Sequence, residues 1–283
     1  MTDQRIHRAV SADGTEIAGR LEGDGPPLVL VHSAPHDSDI AWEAMLPHLT
    51  DSFTCYLPSI RGVGLSGDNP DHSPPRLAED VTSFVDSIGE PACLVGFSTS
   101  GPLVLGAAIR SGAVAAVAVY DLLVGSVMRE EDLASLGAML QQMSAAAAEG
   151  RLVDAARTSH HHSATDDEFA ALEADYLGGE YFERCAEIVP AALQWVQQGA
   201  AYEGPLSTDP EMLAQIAAPV LVLRGQETLP WLGTVLANSE QHVAHHVADL
   251  HVREPLAGLG HYAPLLEPER IARELISFFE LVR

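Results

Sequence analysis

An α/β architecture, with a mostly parallel sheet interrupted by one helical insertion, is what this sequence of 283 residues predicts. Two observations carry the prediction. Short continuous apolar runs alternate with longer amphipathic ones. That alternation breaks once, between about 126 and 204, where the text is helical throughout.

At the start, Asp13-Gly14 lies between two alternating segments, which predicts a hairpin at the sheet edge. Residues 28–31, 55–57, 93–97, 114–120 and 220–223 are continuous apolar runs, as strands buried on both faces require. Amphipathic patterns between them predict helices over about 42–49, 77–88 and 102–110. From about 126 the chain is rich in Ala, Glu, Leu and Gln, and Gly150, Gly178-Gly179 and Gly199 punctuate it as helix ends would. The aromatic residues Tyr176, Tyr181, Phe182 and Trp195 are expected to pack this segment onto the core. Strand text resumes at Pro219, so the helices read as a cap over the carboxyl edge of one sheet, where ligands bind. The expected division is a core of residues 1–124 and 206–283 and a cap of 125–205. A last helix is expected over about 267–282.

Composition narrows the function. Apolar residues make up 47% and charged ones 19%, which excludes disorder. The net charge of −25 repels phosphate backbones and anionic lipid, so no nucleic-acid or membrane partner is expected. All 15 basic residues are Arg; with no Lys, Schiff-base and P-loop chemistry are excluded. Residues 1–10 contain no apolar leader core, and Arg110 and Asp121 interrupt the most apolar stretch, so a cytoplasmic protein is expected. Cys55, Cys93 and Cys185 are too few and scattered for a disulfide framework or zinc site, and read as buried inert thiols.

The segment Leu94-Val95-Gly96-Phe97-Ser98-Thr99-Ser100-Gly101 is a buried strand turning sharply into a helix, with Ser98 at the turn. A nucleophile elbow needs this shape, because the turn lifts the serine oxygen clear of the sheet. Small residues are required two places either side, where strand and helix nearly touch. Gly96 meets the first, and Ser100 stands where Gly is usual. Three further segments accompany it: His32-Ser33-Ala34-Pro35 after the strand 28–31, Arg61-Gly62-Val63-Gly64-Leu65-Ser66, and Gly258-Leu259-Gly260-His261 before the last helix.

In this order and spacing the four segments resemble the α/β-hydrolase fold superfamily over nearly the whole chain. The resemblance implies an eight-stranded, mostly parallel sheet flanked by helices. It implies Ser98 as nucleophile, His261 as base, and the backbone N–H groups of Ala34 and Thr99 as oxyanion hole. Ser33 replaces the loop's usual Gly. The acid is open: the family position, three residues after Gly225, holds Thr228. Asp121, directly after the strand 114–120, is the first choice, since some members carry their acid there; Glu227, one position early, is the alternative. No metal or organic cofactor is implied. The expected substrate is a small or medium apolar ester, thioester or lactone, and the protein either a monomer or a homodimer.

Other readings stay open. The string Gly96-Phe97-Ser98-Thr99 is similar to that of the cofactor-free haloperoxidases, or perhydrolases. Lyase, cyclase or carbon–carbon bond hydrolase chemistry on this scaffold, and a catalytically silent small-molecule-binding protein, are further alternatives. Gly62, Gly64 and Gly67 spell a dinucleotide fingerprint, but loop text follows where a helix would have to begin. His160, His161 and His162 are adjacent on a helix and cannot face one ion together; His242 and His246 share a face without a third ligand. Candidates to line a substrate cavity are His32, Ser33, His36, Phe97, His162 and Trp195, with Asp37 beside the oxyanion loop.

Overall fold

One sheet of eight strands organises the chain. They are β1 (Ile6–Val10), β2 (Glu16–Glu22), β3 (Pro27–Val31), β4 (Thr54–Pro58), β5 (Ala92–Phe97), β6 (Val114–Tyr120), β7 (Val220–Leu223) and β8 (Leu250–Val252). Their spatial order is β1-β2-β4-β3-β5-β6-β7-β8. The hairpin β1–β2 and the pair β2–β4 are antiparallel, and every pairing from β4 to β8 is parallel. The computed structural model describes residues 5–174 and 176–282; residues 1–4, within the segment read for a leader, lie outside them.

Every residue of β3, β5 and β7 is buried, because helices cover both faces of the sheet; the continuous apolar runs record this. The edge strand β8, Leu-His-Val, is half-exposed and mixed in composition, so no apolar run announces it.

Helices α1 (Ser38–Trp42) and α2 (Leu46–Leu49) replace the single helix expected over 42–49. Pro47 is the reason: it has no N–H for the ladder, and its ring excludes the carbonyl four residues back. Helix α3 (Pro74–Ile88) starts before its apolar periodicity does, since Pro74 and Pro75 fill a first turn that needs no N–H donors. Helix α4 (Gly101–Arg110) follows β5.

Between β6 and β7 run α5 (Glu130–Ala148), α6 (Leu152–Ser163), α7 (Asp166–Ala174), α8 (Tyr181–Ala201) and the short α9 (Pro210–Leu213), with no strand among the described residues. Gly150, at φ 76°, follows the end of α5, and Gly178-Gly179 separate α7 from α8. Gly199 differs from expectation: it lies inside α8, where a Cβ would stand 3.9 Å from Pro74 Cγ. The unanticipated helix α10 (Pro230–His246) joins β7 to β8; its apolar stripe is weak, with Leu232, Val235, Leu236 and Val243 buried. After the short α11 (Ala263–Leu266), α12 (Pro268–Val282) buries Ile271, Ala272, Leu275, Phe278 and Phe279, a helical stripe that meets α2.

The glycine loop after β4 is architectural. Arg61 is fully buried, donating to both oxygens of Asp80 at 2.6 and 2.5 Å and to Asp13 at 2.8 Å. It thereby ties the hairpin turn to α3. No helix begins until Pro74, so the geometry a dinucleotide pyrophosphate needs is not formed. All three cysteines are buried, and burial pushes the Cys55 thiol up to about 12. Among the described residues no helix is long and apolar enough to cross a membrane.

Candidate active site

β5 ends at Phe97, and Ser98 turns left-handed at φ 54° before α4 begins. Such a conformation is rare outside glycine and costs roughly 1–3 kcal/mol, held here by tight packing. A Cβ at Gly96 would stand 2.8 Å from Val104 Cγ2 and 3.1 Å from Gly101 Cα, so strand and helix touch at Gly96 and Gly101. Ser100 shares in this close approach, its carbonyl oxygen also 3.1 Å from that Cβ. Its hydroxyl accepts from the Phe97 N–H at 2.8 Å and donates to the Val31 carbonyl at 2.8 Å, stitching the end of β5 to β3.

Ser98 and His261 line one cavity of about 250 Å³. His261 Nδ1 lies 2.7 Å from Asp121 Oδ2, and Asp121 Oδ1 accepts from the Gly225 N–H at 3.0 Å. With Nδ1–H donating to Asp121, Nε2 is the free nitrogen of the ring. Asp121 is fully buried and left-handed at φ 51°, a conformation Asp tolerates better than most residues. Burial pushes its carboxyl above the ordinary value, while the His261 ring and the Gly225 amide pull the other way. The alternative candidate acid, Glu227, is placed differently. The Glu227 side chain is exposed, and the residue meets the histidine loop through its backbone, N–H to Leu259 carbonyl at 2.8 Å.

That loop is clamped on both sides of His261. The Tyr120 hydroxyl donates to the Gly260 carbonyl at 2.6 Å, and the Tyr262 N–H donates to Glu168 Oε1 at 2.7 Å. Glu168 Oε2 also accepts from the Thr165 N–H at 2.9 Å, the capping box of α7. A Cβ at Gly260 would overlap the Glu168 carboxylate, and one at Gly225 would come 2.5 Å from the Leu259 carbonyl. Sequence reading missed Glu168. The Thr165-x-x-Glu168 spacing signals a helix start but not the reach across to Tyr262.

The Ala34 N–H donates to the Thr99 hydroxyl at 3.1 Å, so the two expected oxyanion residues are in contact. His32 is structural at both nitrogens: Nε2 accepts from the Ile60 N–H at 2.9 Å, and Nδ1 faces the Ser33 carbonyl at 3.2 Å. Burial holds its pKa down at about 4.

A buried chain of hydrogen bonds leads away from Ser33. His160 Nδ1 lies 2.7 Å from the Ala156 carbonyl and must donate to it, which leaves Nε2 to accept from the Tyr181 hydroxyl at 2.7 Å. Tyr181 in turn accepts from His36 Nε2 at 2.8 Å, and His36 Nδ1 accepts from the Ser33 hydroxyl at 3.0 Å. Burial holds His160 down at about 4 and His36 well below its ordinary value, so both rings are neutral. The serine in the place of the loop's usual glycine is thus tied to α6 and α8. Ligand atoms of His36, His160 and Cys185 lie within 4.8 Å of one another, but the Tyr181 hydroxyl already bonds both rings there. That grouping is closed to an ion.

The three consecutive histidines diverge. His160 points inward, His161 stacks on Phe169 with ring centroids 3.7 Å apart, and His162 lies against Trp231 at 4.6 Å. Ser33, His36, Phe97 and His162 line the Ser98 cavity, and Ala34 and Thr99 border both it and a second cavity of about 520 Å³. His32 and Trp195 line the second alone. Asp37 lines neither; its carboxylate caps α1 through the Ile40 N–H at 2.7 Å. No arginine lines either cavity among the described residues.

A family model described as the alpha/beta hydrolase family matches residues 28–274. The pyrrolizixenacetamide deacetylase of Xenorhabdus hominickii is 30% identical over 98 residues, 34% of this chain and 37% of that protein, so the match spans little more than a third of the relative's length. The 2-hydroxy-6-oxo-6-(2'-aminophenyl)hexa-2,4-dienoic acid hydrolase of Metapseudomonas resinovorans is 22% identical over 294 residues, covering 96% of this chain and 90% of that one. The structure of a thermophilic esterase from Thermogutta terrifontis is similar in fold, with TM-score 0.74 and 21% identity over 98% of this chain and 99% of that one.

Proposed function

We propose that this chain, which belongs to the alpha/beta hydrolase family, is a serine hydrolase of small or medium apolar carboxylic esters, thioesters or lactones. One observation carries the reading: an imidazole held at Nδ1 by a buried carboxylate, 2.7 Å away, borders the same cavity as a serine on a strained turn.

In the proposed reaction Ser98 Oγ bonds to the substrate carbonyl carbon as its proton passes to His261 Nε2. The carbonyl electron pair moves onto oxygen, which the N–H groups of Ala34 and Thr99 receive, the Ala34 amide leaving the Thr99 hydroxyl to do so. Collapse expels the alcohol, protonated by His261, and leaves an acyl-serine. Water repeats the sequence with His261 as base and frees the acid. Asp121 keeps the Nδ1–H tautomer and stabilises the imidazolium formed at each addition. Helices within residues 125–205 act as a cap, roofing the cavity with Met139, Met143 and Ala192.

The dienoic acid hydrolase relative favours a second reading, cleavage of a carbon–carbon bond beside a ketone. An acid of that kind brings a carboxylate, and the cavities offer it no arginine, so a neutral substrate is the better fit. Fluorophosphonate labelling tests the main reading. Wild type should be modified at Ser98 and should hydrolyse p-nitrophenyl acetate, and Ser98→Ala should do neither. Turnover persisting in Ser98→Ala would remove it.

A further inference from the structure

The two cavities meet at the oxyanion residues. Ala34, Thr99, Met128, Leu136, Leu140 and Val196 border both, whereas Ser98, His261 and Tyr262 border only the smaller and His32, Leu77, Leu103 and Trp195 only the larger. The larger cavity, at about 520 Å³, is roughly twice the size of the smaller, at about 250 Å³.

Resting on the hydrolase reading above, we infer that the larger cavity seats the acyl chain and the smaller one the leaving alcohol. The preferred substrate class is then an ester of a medium-length hydrocarbon acid with a compact alcohol. The argument runs through the proton. The leaving oxygen takes its proton from His261, so the alcohol must lie on the His261 side, in the smaller cavity. The carbonyl oxygen must lie between the Ala34 and Thr99 amides. The remaining substituent of the carbonyl carbon therefore points past those residues, into the compartment that His261 does not reach.

The chemistry of that compartment selects hydrocarbon. Its walls are Ile60, Leu77, Leu103, Trp195 and Leu206 with the prolines of α3 and α4. Its titratable side chain among the described residues is His32, whose nitrogens are both engaged, Nδ1 with the Ser33 carbonyl and Nε2 with the Ile60 N–H. The Ser207 hydroxyl is likewise spent, on the Pro102 carbonyl at 2.6 Å. The Trp195 indole N–H has no hydrogen-bond partner and is a single neutral donor; among the described residues no carboxylate or guanidinium lines this compartment to recognise charge.

Gly137 of α5 supplies the test. It lines the larger cavity alone, and a Cβ there meets nothing within 4 Å, so a larger side chain enters the cavity without backbone strain. With p-nitrophenol as the constant leaving group, kcat/KM should rise up to roughly fourfold per buried methylene from acetate towards octanoate. Gly137→Phe should lower octanoate turnover about tenfold or more and leave acetate within about twofold. Leu103→Phe, from the opposite wall, should reproduce that pattern. Ser159→Phe, which faces the smaller cavity, should instead penalise bulky alcohols at constant acyl chain.

A flat chain-length series, equal losses on acetate and octanoate in both plugged variants, or a Gly137→Phe effect on the alcohol series would overturn the assignment while leaving the hydrolase intact. Absence of all ester turnover together with unlabelled Ser98 would remove the hydrolase reading, and the assignment with it.

Discussion

Ser98 and Asp121 each stand one residue beyond a register pair, Phe97 and Tyr120, on the adjacent parallel strands β5 and β6, and both turn left-handed, at φ 54° and 51°. Parallel strands in register end at one edge of the sheet, so the two side chains leave it side by side. The left-handed turn redirects each from a strand face into the space above that edge. The carboxylate facing His261 therefore follows the strand beside the serine's, and the segment after β7, where the family position lies, contributes the Gly225 amide that holds it.

Asp121→Asn should reduce kcat about 10³–10⁴-fold, because an amide there favours the wrong imidazole tautomer. Glu227→Gln should stay near wild type, since its exposed side chain is remote in function from the ring. Steady-state rates on one p-nitrophenyl ester compare the two, and the opposite ranking would transfer the role to Glu227.

Two glycines should respond oppositely to alanine. Gly225→Ala places a methyl 2.5 Å from the Leu259 carbonyl and 2.8 Å from the Gly260 carbonyl, so the histidine loop must move and kcat should collapse. Gly137→Ala, helical and unobstructed, should gain up to about 1 kcal/mol in urea denaturation. Equal behaviour would contradict the close packing beneath the loop.

Glu168→Gln offers one carbonyl oxygen where the carboxylate serves the Tyr262 and Thr165 amides with two. One amide is then left facing a donor, and stability should fall by about 1–3 kcal/mol. Because Tyr262 adjoins His261, kcat should fall as well, with KM little changed. A stability loss without a change in kcat would confine Glu168 to capping α7.

Tyr181→Phe removes the hydroxyl shared by His36 and His160 and leaves two buried ring nitrogens without partners. Stability should drop by roughly 1–3 kcal/mol per orphaned group, less any water that enters. Urea midpoints measure this; an unchanged midpoint would show that the chain of hydrogen bonds contributes nothing.

Stability should fall as the pH drops from about 6.5 towards 4. His32 and His160 have folded-state values of about 4, below the ordinary 6.5, so in that window the unfolded chain binds protons that the native state refuses. Each contributes at most about 3 kcal/mol, present in full above 6.5 and lost by about 4. His36 acts in the same direction. Urea midpoints at pH 7 and 5 should differ less in His160→Gln than in wild type, and an equal difference would mean that His160 takes up no proton on unfolding.

Continuous apolar runs were enough to read the parallel sheet, because a strand covered on both faces can hold nothing else, and the break after β6 was enough to place the inserted helices. Gly96, Ser98 and the loop before α12 were likewise readable, since sharp turns demand particular residue types within a few positions. Asp121 was the first choice from its place directly after a strand, but its contact with His261 was not readable: the two are 140 positions apart, and their meeting depends on strand adjacency and on one left-handed turn. The same holds for His36 with Tyr181 across 145 positions and Glu168 with Tyr262 across 94. Period and composition describe neighbours along the chain. Which distant polar groups share a buried hydrogen bond is settled by packing, where each donor must find its acceptor.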